Sequence, residues 1–181
     1  MLQDDVKEVM LTEQQIHQIV ARLGKEITDD YKDKNLLMVG ILKGCVVFMS
    51  DLMRAIDLKC RIDFMVVSSY GAATKSSGSV KIIKDLDLDL KDYDVLLVED
   101  ILDSGNTLSY VRSMLALRGA RSIKICTLLD KPSRRTADSN ADYIGAEIAD
   151  EFVIGYGLDF DEKYRNLPYL GVPHPYVYSG K

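Results

Sequence analysis

No run in the 181 residues reaches the roughly 18 apolar positions that a membrane-spanning helix needs. Proline is scarce at 4 residues and glycine ordinary at 12, which fits neither a disordered nor a fibrous chain. Basic charge is not in excess: 23 Lys and Arg stand against 28 Asp and Glu, a net charge of −5. A general binder of nucleic acid or of an anionic membrane needs a basic footprint, so neither partner is expected. A small phosphorylated ligand stays open, since it needs only local cations, backbone N–H groups and a bridging metal. Cysteines are few, odd in number and far apart (Cys45, Cys60, Cys126), and Cys45 and Cys126 lie in apolar contexts typical of reduced core thiols. The stretch "MLQDDVKEVML" carries acids where a signal peptide has a basic region, so a cytoplasmic protein is expected. Two nucleotide-binding fingerprints are missing as well. "GAATKS" (71–76) lacks the second glycine of a P-loop, and Gly155-Tyr156-Gly157 is only a fragment of G-x-G-x-x-G. There is no internal repeat.

What is present reads as alternating strands and helices in one domain. Thr12 and Gln15 form a capping-box pattern ahead of Ile16, Ile19, Val20, Leu23 and Ile27, which recur at helical spacing. His17 falls toward the solvent side of that helix. "NLLMVGILKG" (35–44) is a continuous apolar run ending in a Lys-Gly turn, and residues 45–56 repeat as a helix. "RIDFMVVSSYG" (61–71) reads as a strand, 72–79 as a polar mobile loop, and "VKIIKDL" (80–86) as an antiparallel return. A strand over 94–100, a helix over 106–119 closed by Gly119, and a strand over 122–131 follow. Strand–helix–strand units with near-continuous apolar strands predict an α/β fold, a twisted and mainly parallel sheet flanked by helices on both faces. The predicted core covers about residues 1–131. A small C-terminal hood takes mainly 132–181, and the N-terminus can join it.

The stretch "VLLVEDILDSGNTL" (95–108) carries the chemistry. In an open parallel sheet, ligands bind beyond the carboxyl ends of the strands. Here a strand end meets a small polar loop, with Gly105 allowing close approach and Ser104 and Thr107 offering hydroxyls. The first N–H groups of the next helix are unpaired and at its positive end, which suits a phosphate. Glu99 and Asp100 would repel that phosphate unless they face something else. Carboxylates suit a sugar diol or a hydrated divalent cation. Acids for a ribose beside donors for its 5′-phosphate specify a ribose phosphate.

The same stretch resembles the signature for 5-phosphoribosyl-1-pyrophosphate (PRPP) of the type I phosphoribosyltransferases. The likeness extends over nearly the whole chain and is nearest the short bacterial hypoxanthine(-guanine) branch. "ILKG" (41–44) resembles the family's pyrophosphate loop, with a non-proline cis peptide at Leu42–Lys43. "SSYG" (68–71) resembles the start of a lid, with Ser69 and Tyr70 at the usual places. "DEFVIGYGLDFDEKYRNLPYLG" (150–171) resembles the base-binding hood. Asn106 stands where mammalian members carry Lys and matches the bacterial form. Asp103 stands where adenine and orotate enzymes usually carry a small apolar residue, and the 6-oxopurine enzymes carry Asp.

The resemblance implies a glycosyltransferase of purine salvage. It would transfer the phosphoribosyl group of PRPP to hypoxanthine, and to guanine, giving IMP or GMP and pyrophosphate. Asp103 would be the general base. Glu99 and Asp100 would hold the ribose hydroxyls, directly or through a metal shell, and Asp103, Ser104, Gly105, Asn106 and Thr107 the 5′-phosphate. Leu42, Lys43, Gly44 and Arg165 would handle pyrophosphate. Lys131 would donate to purine O6, Phe152 would stack on the ring and Val153 would contact it through its backbone. Mg²⁺ would sit on Asp159 with Glu99 and Asp100. Arg134-Arg135 read as a solvated turn. The family implies a homodimer or homotetramer. Two rivals stay open: a xanthine or uracil phosphoribosyltransferase, and a PRPP-sensing regulator that binds nucleic acid without chemistry.

Overall fold

The computed structural model describes residues 1–69 and 80–179. Its elements run β1 (Val6–Leu11), α1 (Glu13–Asp30), β2 (Leu36–Leu42), α2 (Val46–Ala55), β3 (Arg61–Ser69) and β4 (Val80–Lys84). They continue with β5 (Asp94–Leu102), α3 (Asn106–Leu117), β6 (Ser122–Asp130), β7 (Tyr143–Glu147), β8 (Leu170–Pro173) and α4 (Pro175–Tyr178). Six strands form one sheet in the order β4-β3-β2-β5-β6-β7. All neighbours in it are parallel except β3 and β4, which pair antiparallel. The architecture is the α/β sheet that the alternating pattern predicts.

Local sequence explains the elements. Thr12 Oγ1 accepts from the Gln15 N–H at 3.3 Å, and Gln15 Oε1 accepts from the Thr12 N–H at 2.9 Å, closing the box that starts α1. In β2, Leu36 and Met38 join the cluster under α1 and α2, while Leu37, Val39 and Ile41 join the one under α3. In β5, Leu96 and Val98 go to the first side and Val95 and Leu97 to the second. A strand alternates its side chains between faces, so a run apolar at every position must be covered twice. Gly119 takes φ +83° just past α3, as a C′ glycine does.

Connectivity then fixes where a ligand can bind. From β2 the chain crosses by α2 to β3 on one side, and from β5 it crosses by α3 to β6 on the other. The order reverses between β2 and β5, and the crevice beyond their carboxyl ends is the binding place of such sheets.

The sheet runs past the boundary expected near residue 131. Tyr143–Glu147, inside the stretch assigned to the hood, pairs in parallel with β6 as β7 and forms the edge of the core sheet. At five residues with mixed burial, it carries little pattern for sequence reading. The remaining C-terminal part lies over the crevice, and β8 pairs antiparallel with β1. The N-terminal strand therefore belongs to the hood. Asp5 holds it there, taking hydrogen bonds from Tyr164 Oη at 2.8 Å and, at its backbone oxygen, from the His174 N–H at 2.8 Å. Among the described residues, no helix is long and apolar enough to cross a membrane.

Leu97 is fully buried at the centre of the sheet. Leu97→Ala should cost about 2–5 kcal/mol of unfolding free energy, as buried leucine truncations do. Urea denaturation checks it, and a loss within error of zero would show that the α3 side of the sheet is not packed as described.

Candidate active site

β5 runs two residues beyond the expected Asp100, so Glu99 and Asp100 sit within the strand, Asp103 follows it, and the polar loop leads into α3. Gly105 takes φ +82°, the left-handed region that glycine enters without steric cost. The Asn106 N–H donates to Ser104 Oγ at 3.4 Å, and Asn106 Nδ2 donates to Thr136 Oγ1 at 3.1 Å. Glu99, Ile101, Leu102, Asp103, Ser104, Gly105, Thr107 and Leu108 line a cavity of ≈ 90 Å³. With the first N–H groups of a three-turn helix beside it, this is an anion-sized cradle.

A larger cavity of ≈ 250 Å³ adjoins it, lined by Asp100, Ile101, Asp103, Lys131, Phe152, Val153, Leu158 and Asp159. Strand alternation sends the two consecutive acids different ways, Glu99 to the smaller cavity and Asp100 to the larger. Ile101 and Asp103 line both, so a ligand spanning the two would pass between the acids and alongside Asp103. Lys131 is buried, and its Nζ reaches no closer than 4.0 Å to Asp150. Its charge therefore sits at the cavity wall with a weakly engaged partner. Phe152 is half-exposed and its ring packs against Phe160 and Tyr178, whereas Val153 is buried.

The acids are held in a costly state. Burial, and then Asp100 beside it, pushes the Glu99 carboxyl well above the ordinary range. Its Oε2 finds no hydrogen-bond partner among the described residues. Burial pushes Asp100 up to about 6, with its hydrogen bond from the Ile101 N–H at 2.9 Å pulling the other way. A buried polar group without a partner costs free energy until something satisfies it. Hydroxyl donors or a cation would do so.

The third part is the turn after β2. The Leu42–Lys43 peptide is cis, as the resemblance implies. A Cβ at Gly44 would lie 1.8 Å from Asp100 Oδ2, so only glycine admits the Asp100 carboxylate there. Lys43 Nζ pairs with Glu162 Oε2 at 3.0 Å. Arg165 donates to Gly157 O at 2.8 Å and pairs with Asp159 Oδ1 at 2.8 Å and Glu162 Oε2 at 3.2 Å.

The expected site residues are thus gathered at one crevice. Ser69 closes β3, its backbone opposite Val80, while Tyr70 and residues 72–79 lie outside the described residues. The three acids read as metal ligands do not cluster. Among the described residues no group of three or more His, Cys, Asp and Glu is disposed around a common point. Asp100 and Asp159 share the larger cavity, and Glu99 lines the smaller one. An oxygen-only pair suits a hard cation that keeps waters and takes further ligands from phosphates, which is how Mg²⁺ is usually held. His17, exposed on α1, is remote from this arrangement.

The arginine pair read as a solvated turn is part of the site. Arg135 donates to Leu102 O at 3.2 Å and Asp103 O at 2.6 Å, and it pairs closely with buried Asp130. It anchors the backbone of the loop that lines the smaller cavity. Arg134 Nε donates to Asp103 Oδ1 at 3.3 Å, and Arg134 Nη1 lies 3.5 Å from Asp150. An adjacent Arg-Arg in a polar segment gives no sequence signal for contacts made about 30 residues away.

The state of Asp100 yields a pH test. Its folded pKa of about 6 exceeds the ordinary 3.8, so between those values the folded chain keeps a proton that the unfolded chain releases. Stability from this group is full below the lower value and declines as pH rises through the upper one, a loss of about 3 kcal/mol. Asp100→Asn should therefore stabilise the ligand-free protein by up to about 3 kcal/mol near pH 7.5 and by almost nothing below about pH 4. Urea denaturation at the two pH values checks this, and an equal gain at both would refute burial of the charge as its cause.

Comparison with known proteins agrees with this geometry. The chain matches the phosphoribosyl transferase domain over residues 8–161. It is 53% identical over 179 residues to the hypoxanthine-guanine phosphoribosyltransferase of Bacillus subtilis (strain 168), covering 99% of each chain. It is 53% identical over 178 residues to the protein of that name from Staphylococcus aureus (strain Mu50 / ATCC 700699), covering 98% of this chain and 99% of the other. A crystal structure of a hypoxanthine phosphoribosyltransferase from Staphylococcus aureus superposes with a TM-score of 0.95 at 53% identity, covering 98% of this chain and 96% of that one. With a match of that extent, in a chain whose strand, loop and helix frame an anion-sized cavity, the chain belongs to the phosphoribosyltransferase family.

Proposed function

We propose that the protein is a hypoxanthine-guanine phosphoribosyltransferase of purine salvage, joining N9 of hypoxanthine or guanine to C1 of the PRPP ribose and releasing pyrophosphate. One observation carries this reading: an anion cradle and a lysine-walled cavity meet at Asp103. The cradle has the size and donors for a 5′-phosphate, and the cavity has the apolar walls and single buried cation that a 6-oxopurine needs.

In this reading the C1–O bond to pyrophosphate breaks as the N9–C1 bond forms, with positive charge developing on the ribose. The protein's part is to position the reactants, balance charge and accept one proton. Asp103 takes the proton from purine N7. Glu99 and Asp100 accept from the ribose hydroxyls on either side of the strand end, and Ser104 to Thr107 bind the 5′-phosphate. Lys131 donates to O6, which favours an oxo base over the amino group of adenine. Phe152 covers one face of the ring and Val153 contacts it through the backbone. Lys43, Gly44 and Arg165 receive the leaving pyrophosphate. Mg²⁺, when held by Asp159 and Asp100, would neutralise charge on the pyrophosphate. A homodimer or homotetramer, a cytoplasmic setting and a lid beginning at Ser69 and Tyr70 are proposed on the same family grounds.

Two measurements test the reading. PRPP-dependent nucleotide formation should proceed with hypoxanthine and guanine and be much slower with xanthine and uracil; use of xanthine or uracil in place of hypoxanthine would overturn the base assignment. Specific nucleic-acid binding at physiological salt without turnover would favour the regulator. Asp103→Asn should lower kcat by roughly 10²–10⁴, the usual scale for a general base, while PRPP still binds. Wild-type turnover in that variant would remove Asp103 from its role.

A further inference from the structure

We propose that Glu162 is a built-in competitor of pyrophosphate, a positioning residue whose carboxylate occupies the point on which Lys43 and Arg165 converge. The inference rests on the reading of those two cations as the pyrophosphate site. One oxygen, Glu162 Oε2, takes both the Lys43 ammonium at 3.0 Å and the Arg165 guanidinium at 3.2 Å. Lys43 comes from the turn after β2 and Arg165 from the hood, 119 residues separating Lys43 from Glu162. An anionic oxygen taking charge-assisted bonds from an ammonium and a guanidinium is the arrangement a phosphate oxygen adopts between the same groups.

The backbone is shaped to deliver this carboxylate. Asp161, Glu162 and Tyr164 take φ of +54°, +62° and +75°, a left-handed bend at three residues other than glycine. The Glu162 N–H donates to Asp159 Oδ2 at 2.9 Å, and Arg165 donates to Gly157 O at 2.8 Å, so both ends of the turn are fixed. Asp159, Arg165, Glu162 and Lys43 therefore form one alternating chain of charges. The Lys43 and Glu162 side chains are 65% and 63% exposed, so the carboxylate can swing into water when phosphates arrive. Its contacts with Lys43 and then Arg165 hold the Glu162 carboxyl below its ordinary range, so it stays charged near neutral pH.

Such a residue keeps the two cations oriented toward the site, and it makes the product leave more readily. Exposed ion pairs are individually weak, so the expected change is modest. Calorimetric titration of the full chain with inorganic pyrophosphate in magnesium buffer tests it. Glu162→Gln and Glu162→Ala should each bind pyrophosphate about two- to tenfold more tightly than wild type. Pyrophosphate should become a stronger product inhibitor by the same factor, with KM for hypoxanthine unchanged. The gap from wild type should narrow as salt rises. Unchanged or weaker pyrophosphate binding in either variant would overturn the proposal. Arg165→Ala separates the two layers: it should weaken pyrophosphate binding. If it does not, the pyrophosphate site itself is misassigned and this inference falls with it. If it does, while the Glu162 variants show no gain, only the role of Glu162 is refuted.

Discussion

Taking a carboxylate out of water costs several kcal/mol, and β5 places two in succession near its carboxyl end, after the apolar run Val95 to Val98. The rest of the crevice follows from that arrangement. Alternation along the strand places Glu99 and Asp100 in different cavities, so both lie where a ligand would pass. Gly44 is reduced to a hydrogen at Cα because Asp100 fills the space a methyl would need. The turn after β2 is thereby held against the end of β5. A fold optimised only for stability would place amides or aliphatics at these two positions. On the proposed reading, the deficit is made good by the ribose and its metal, so binding recovers what folding leaves unsatisfied.

A second layer of charge keeps the working parts in register. Arg135 holds the carbonyls of Leu102 and Asp103 while balancing Asp130. Arg134 connects the carboxylate of Asp103 to Asp150 of the hood. The segment after β6 thus grips the loop after β5 by its backbone and Asp103 by its side chain. Tyr156, buried in the hood, donates from its hydroxyl to Asp51 on α2. The hood is therefore anchored to the helix layer beneath it.

Much of this was legible because it is local. The strand, loop and helix of 95–108, the Thr12–Gln15 box and the apolar period of β2 and β5 are patterns within a few residues of each other. The phosphate cradle and the acids at its edge could be reasoned from residue chemistry, and the resemblance supplied the cis peptide and the roles of Lys131 and Asp159. What stayed hidden depends on contacts across the chain. β7 is too short to announce itself, and its place depends on the edge that β6 offers. Arg135 looked like a surface charge because its carbonyl partners lie more than 30 residues back. Glu162 sits in a run of seven charged or aromatic residues (159–165), and only the fold reveals that Lys43 faces it.

The pairing of β1 with β8 has a consequence in time. Val6 lies opposite Pro173 and Leu11 opposite Leu170, so one strand of this sheet leaves the ribosome long before its partner. Strands β2 to β7 can assemble from neighbouring units as they emerge, but β1 must wait, unpaired, until β8 follows them. Contacts of such sequence separation form last because the loop between them must be closed first. The wall that Phe152 and Val153 give the larger cavity belongs to the lobe that this late pairing seals. A ribosome-bound chain therefore forms the smaller cavity well before it can close the larger one.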